Sequence, residues 1–214
     1  MEEGEGLDVS EGVEEEGLSS DEFDVCGGLS FEGLEELAEE SEIADSVGAS
    51  EVEEAFLADS AELSQLITRE IEEYDKSIEG INELFDPFDW GSPYNKNCGS
   101  CAVACEMRLS GQDPEAVADA RAILSIREMN EMTGKVQTPM TPQEIIAFAK
   151  QQGPGYHGIV GFDWKGENEG HWINVGVSPS GRVYALDAQC GQTVLFDEYV
   201  KSYAKAGINW DLSR

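Results

Sequence analysis

Residues 97–105 read Asn-Cys-Gly-Ser-Cys-Ala-Val-Ala-Cys, three cysteines within eight positions at the start of an apolar helical pattern. The pattern runs on through Glu-Met-Arg-Leu-Ser to Gly111, where a left-handed cap favours glycine. A helix that opens on cysteines can carry a metal clip, a redox dithiol, buried thiols or a nucleophile. A structural zinc site wants four Cys or His ligands, commonly as two spaced pairs. Cys98 and Cys101 give one pair, no second pair follows, and the two histidines, His157 and His171, are 14 positions apart. No metal and no cofactor are therefore expected. A thioredoxin-like dithiol follows a strand and opens a helix in a βαβ unit, whereas the preceding FDPFDWGSPYNKN holds two prolines and no strand run. Cys105, one turn past Cys101, reads as a small buried hydrophobe.

A nucleophile needs a thiolate, a base and a group that orients the base. In the first turn of a helix, unpaired backbone N–H groups and the dipole favour the thiolate. Asn97 or Ser100 can be the N-cap, which puts Cys98 or Cys101 in that turn. Gly99 is a poor helix-interior residue, so a start at Ser100 is favoured, and with it Cys101.

Further helices follow. DPEAVADARAILSIREMNEMTG has Asp113 as N-cap, Pro114 at the first helical position and Gly134 as a stop, predicting a helix over 113–134. Thr141 and Glu144 form a capping box around Pro142. HGIVGFDW, HWINVGV and RVYALD are rich in branched and aromatic residues and separated by polar turns, so they read as antiparallel strands, and LFDEYVKSYAKAG as a last helix. Helices first and a strand meander after them argue for an α+β domain.

The hairpin between the last two strands makes a specific statement about the base. With the turn SPSG centred on Pro179 and Ser180, partner numbers sum to about 359, so His171 falls opposite Ala188, or Asp187 after a one-residue slip. A histidine opening one strand then stands beside an aspartate closing the next, a base with a carboxylate that fixes its tautomer. His157 has no predicted acidic neighbour and is read as structural.

The chain divides by charge. Residues 1–90 carry 31 acidic and two basic residues and the other 124 carry 14 acidic and 11 basic, so the net charge of −32 splits into −29 and −3. That sign repels phosphate backbones and anionic lipid, excluding nucleic acid and membrane surfaces as expected partners. No apolar run approaches the roughly 20 residues of a membrane span. MEEGEG lacks the features of a secretory signal, so the chain is expected to be cytoplasmic as synthesised, with secretion or delivery by a signal-independent route left open. Five cysteines, Cys26, Cys98, Cys101, Cys105 and Cys190, make a poor disulfide framework and point to a reducing compartment. Residues 1–49 are expected to be a mostly disordered acidic arm, with a short helix around FEGLEELAEE, and 50–86 a long amphipathic linker helix ending before Asp86-Pro87. The catalytic domain is then 90–214. The helix either packs on that domain or docks it to something upstream; the arm either solvates the chain or imitates an acidic ligand.

NCGSCAVACEMRLSG, GHWINVGV and GRVYALDAQCGQ together resemble the papain-fold toxin family of glutamine deamidases, C-terminal domains of bacterial polymorphic toxins and effectors. The likeness covers roughly residues 95–192, and the first block also resembles the CGSC segment of papain-like cysteine peptidases. It implies a papain-like fold with an N-terminal catalytic helix and an antiparallel sheet. It further implies a thiol nucleophile at Cys98 or Cys101, His171 as base, Asp187 as its orienter, and supporting positions at Asn97 and Gln189. Ala188 and Cys190 stand where the family more often has proline and threonine. Papain-like enzymes place a glutamine oxyanion donor six positions before the cysteine, and counting from Cys101 that place is Asn95. The implied partner is a protein substrate with an exposed glutamine, together with an immunity protein. The Asn-Cys opening keeps Cys98 open beside Cys101. A cysteine peptidase, a transglutaminase and a non-enzymatic interaction module are the competing readings.

Overall fold

A computed structural model describes residues 49–89, 91–123, 125–163, 170–204 and 209–213. The acidic arm expected over residues 1–49, and the helix expected within it, lie outside the described residues except for Ala49, where α1 begins. Helix α1 (Ala49–Ile78) is followed by α2 (Cys98–Leu109), α3 (Ile126–Thr133), β1 (Gln137–Pro139) and α4 (Pro142–Gln152). Then come β2 (His157–Asp163), β3 (Gly170–Val177), β4 (Val183–Asp187), β5 (Gln192–Leu195), α5 (Phe196–Ala204) and β6 (Asn209–Ser213). The described strands form one antiparallel sheet in the order β1-β6-β2-β3-β4-β5.

The sheet is covered on both faces, which is why β3 and β4 read as continuous apolar runs. Ile173, Val175, Val177, Val183 and Ala185 meet Ile145 and Ala149 of α4 and Phe196 and Tyr199 of α5. On the other face Tyr184 and Leu186 meet Ile78, Ile81, Cys101, Ala104 and Cys105, so α2 and the end of α1 pack there. Burying each such large side chain contributes about 1.5–3 kcal/mol. The domain is α+β, as its element order implies.

Three expectations are corrected. Helix α1 ends at Ile78, not at residue 86: Gly80 is left-handed at φ 71°, and residues 79–84 form turns that carry Ile81 into the core and turn Asn82 inward. The apolar stripe of α1 packs on its own chain, Tyr74 lying 5.4 Å from the Tyr184 ring and Glu70 accepting the Tyr184 hydroxyl at 2.8 Å.

The helix expected over 113–134 forms only at Ile126–Thr133, capped by Ser125 and stopped by left-handed Gly134. Tertiary partners for its backbone outweigh the cap signal at Asp113-Pro114. The carbonyls of Ala116, Asp119, Arg121 and Ile123 accept from Arg108, Asn97, Ser100 and Trp172, respectively. The Ala118 N–H donates to the Ile81 carbonyl.

Helix α2 begins at Cys98 with Asn97 as N-cap, not at Ser100. Gly99 is inside it because Ile123 crosses there: a Cβ at Gly99 would fall 2.5 Å from the Ile123 Cβ.

The strands expected at HGIVGFDW, HWINVGV and RVYALD fall in place, while β1, β5 and β6 were not expected. Beyond α5, where the chain was expected to finish as a helix, β6 inserts between β1 and β2.

Candidate active site

Two segments build the polar heart of the domain: the start of α2 and the hairpin of β3 and β4. The hairpin turn spans Ser178–Arg182, with Gly181 left-handed at φ 82°. Partner numbers therefore sum to 360, as in Asn174↔Leu186, one more than expected. The difference is decisive for side-chain facing. A sum of 359 would put Asp187 opposite Trp172, on the wrong face for His171. At 360, Asp187 lies opposite Ile173 and diagonal to His171 on the same face, within reach of a ring. The His171 Nε2 meets Asp187 Oδ2 at 2.6 Å, and both side chains are buried.

Asp187 is held from three sides. Besides the imidazole, its Oδ1 accepts the Gln189 N–H at 3.1 Å and its Oδ2 accepts the Tyr199 hydroxyl at 3.2 Å. Burial raises its pKa, but the charge and hydrogen bond of His171 outweigh that and hold the carboxyl below its ordinary 3.8. The His171 ring is pulled the other way. Burial disfavours its charge, yet the Asp187 carboxylate, then hydrogen bonding and charge from Cys98, set it well above 6.5. With Nε2 taken by Asp187, Nδ1 is the nitrogen left for a thiol.

The cysteines of α2 are not equivalent. Cys98 occupies the first helical position and is half-buried. Cys101 lies one turn deeper and is 1% exposed; burial, and next the negative charge of Asp187, push its thiol far up. Cys105 is fully buried and pushed up in the same way. Cys190 follows the Asp187 strand and is half-buried.

Asn97 and Gln189 brace the site. The Asn97 side chain makes no cap hydrogen bond to its own helix. Instead its amide nitrogen donates to Asn82 Oδ1 at 3.1 Å and to the Asp119 carbonyl at 2.9 Å, and its Oδ1 accepts Gln189 Nε2 at 3.4 Å. The first-turn N–H groups of α2 are thereby left uncapped by the Asn97 side chain. Asn95 is committed elsewhere: its amide donates to the Asp86 and Asp89 carbonyls, locking the loop before α2.

Sequence inspection missed Asn82, Asp119 and Tyr199, each separated by a long stretch of chain from what it touches. Nor did it give His157 an acidic neighbour. In the structure His157 Nδ1 meets Glu106 Oε2 at 2.9 Å, and the other Glu106 oxygen pairs with Lys135. Those groups hold α2 to β2 at the end of the helix away from Cys98.

A cysteine-bearing helix laid against an antiparallel sheet, with a buried His–Asp pair at the helix start, is the architecture of the papain-like thiol enzymes. Residues 96–192 match the family described as papain fold toxin 1, glutamine deamidase. The match takes in Asn97, Cys98, Cys101, His171, Asp187 and Gln189 and leaves out α1, α5 and β6. No curated protein matches the chain. Among the described residues, no helix is long and apolar enough to cross a membrane.

Proposed function

We propose that the protein is a thiol-dependent glutamine deamidase acting on another protein as a bacterial toxin or effector, with Cys98 as nucleophile, His171 as general base and acid, and Asp187 as the orienter. One observation carries the assignment: a half-buried thiol stands at the first residue of α2, whose N-cap Asn97 is bonded to Gln189, two residues past the carboxylate that holds the His171 ring at 2.6 Å. The burial of Cys101 argues against it as the attacking group, since substrate must reach the sulfur.

The chemistry follows from these positions. Cys98 sulfur attacks the side-chain carboxamide carbon of a substrate glutamine, and first-turn N–H groups of α2 receive the negative charge on oxygen. The protonated His171 gives its proton to the amide nitrogen, and the C–N bond breaks to release ammonia. A water then loses a proton to His171 and attacks the thioester, giving glutamate and regenerating the thiol. The balance is glutamine plus water to glutamate plus ammonia. The catalytic unit includes residues 90–214, and an immunity protein would act by covering the Cys98 mouth.

The test incubates wild type and the Cys98→Ala and Cys101→Ala variants with candidate proteins and reads peptide masses. Conversion of a glutamine adds about one mass unit. Wild type and Cys101→Ala should produce it and Cys98→Ala should not. Cleaved fragments would identify a peptidase, and glutamine–amine adducts a transglutaminase. Loss in Cys101→Ala with activity kept in Cys98→Ala would overturn the choice of nucleophile. Function that survives alkylation of Cys98 would leave a binding module.

A further inference from the structure

The matched family segment begins at residue 96, yet the bracing of this site does not. Asn82 lies in the turns after α1, and its side chain reaches three separate segments. Its Nδ2 donates to the Tyr94 carbonyl at 3.0 Å and to the Gln189 carbonyl at 2.9 Å, with a longer approach of 3.4 Å to Asn97 Oδ1. Its Oδ1 accepts the Asn97 amide at 3.1 Å. One carboxamide thus joins the approach to α2, the N-cap residue next to Cys98, and the loop two residues past Asp187.

The bonding leaves little slack. The Asn97 amide hydrogens go to Asn82 and Asp119, and the Gln189 N–H goes to Asp187. Asn82 closes this circuit between the nucleophile's helix and the orienter's strand, which are 89 residues apart at Cys98 and Asp187. The turn geometry serves the same end. Left-handed Gly80 breaks α1, Ile81 is buried at 1% exposure, and the Ile81 carbonyl accepts the Ala118 N–H, so the backbone leading into Asn82 is fixed.

We propose that Asn82 is a positioning residue for the reaction, and that the segment upstream of the family match is part of the active site, not a linker to it. The proposal rests on the deamidase function above for its kinetic consequence. Its geometric consequence, the spacing of Cys98 and His171, is independent of substrate. Asn82 touches no reacting atom; it acts through Asn97 and Gln189.

The experiment uses the full chain with three variants, two at Asn82 and one at Glu70 of α1. Asn82→Asp keeps the size and the oxygen facing Asn97 but loses the donors to Tyr94 and Gln189. Glu70→Gln weakens the contact of α1 with Tyr184 and Arg182, far from the cysteines in the bonding network. Two readouts are taken: kcat and KM on a glutamine-bearing protein, and the rate of Cys98 alkylation by iodoacetamide against pH, followed by peptide mass. Asn82→Asp should lower kcat by about tenfold to a hundredfold with KM within about twofold, and should shift the alkylation profile. Glu70→Gln should leave both at wild-type values, and Asn82→His, which restores one ring donor, should recover part of the loss.

A wild-type kcat and alkylation profile in Asn82→Asp would overturn the proposal. So would parallel losses in Asn82→Asp and Glu70→Gln that track their unfolding midpoints, since that is the signature of a merely structural contact. A shifted alkylation profile without any glutamine conversion, even by wild type, would sustain the role of Asn82 while overturning the deamidase function.

Discussion

Two histidine–carboxylate pairs stand at opposite ends of α2, and only one has a cysteine at the helix end it adjoins. His171 and Asp187 meet at 2.6 Å beside Cys98 at the start of the helix, and His157 and Glu106 meet at 2.9 Å near its last turn. In both, burial raises the carboxyl and its partners outweigh it, His171 for Asp187 and the hydrogen bonds from His157 and Lys135 for Glu106, so each is held below its ordinary value. The difference is the third group. At the first pair it is a half-buried thiol at the start of the helix, and at the second it is Lys135, whose ammonium pairs with the other Glu106 oxygen. A histidine with a carboxylate is a common structural joint, and a nucleophile in reach makes it a candidate base.

The largest expected effect separates the pairs directly. His171→Gln should lower kcat by about 10³-fold or more, because base and acid are lost together, whereas His157→Gln should stay within about threefold. Equal losses in a mass-based deamidation assay would break the distinction between them. Next comes Glu106→Gln, which takes the carboxylate from both Lys135 and His157. Urea unfolding should show a loss of about 1–3 kcal/mol, discounted for the partial exposure of Lys135, with kcat within severalfold of wild type.

Gly99→Ala tests the helix start that presents Cys98. The new methyl meets Ile123, and stability should fall by about 1–3 kcal/mol, with α2 displaced and activity reduced further than the unfolding data alone explain. Wild-type stability in this variant would show that Ile123 yields easily.

The smallest effect is in pH dependence. His171 has a raised pKa when folded, so its contribution to stability is fully present below 6.5 and is lost as pH rises through the raised value. Asp187 has a depressed pKa, so its contribution is present above 3.8 and is lost as pH falls through the depressed value. The stability gap between wild type and Asp187→Asn should therefore be widest between about pH 4 and 6.5 and narrow on both sides. The Glu106 contribution, measured against Glu106→Gln, should be present above 4.5 and fall away on acidification. A gap for Asp187→Asn that does not change with pH would remove the ion pair from the account.

Much of the site was legible because its parts are local. The capping box at Thr141 and Glu144 formed as written, since both partners lie within one turn. Strand periodicity found β3 and β4, and turn chemistry brought His171 near Asp187 to within one position of the true register. The boundary of α2 was misjudged by a propensity argument about Gly99, because the reason for that glycine is Ile123, 24 residues on. Asp113-Pro114 signalled a helix that gave way to carbonyls needed by Asn97, Ser100, Arg108 and Trp172. No short pattern marked Glu106 as the partner of His157.

The sequence by itself determined the helix with its cysteines, the strand order of the β3–β4 hairpin, and the residue types a thiol acyl transfer needs. Those rest on capping, turns and period-two alternation, all written within a few residues. Only the tertiary structure decided which thiol is exposed, which face Asp187 shares with His171, and that Asn82 and Tyr199 converge on the site. Burial and long-range hydrogen bonding depend on what the rest of the chain brings alongside, and neither can be read from neighbours in sequence.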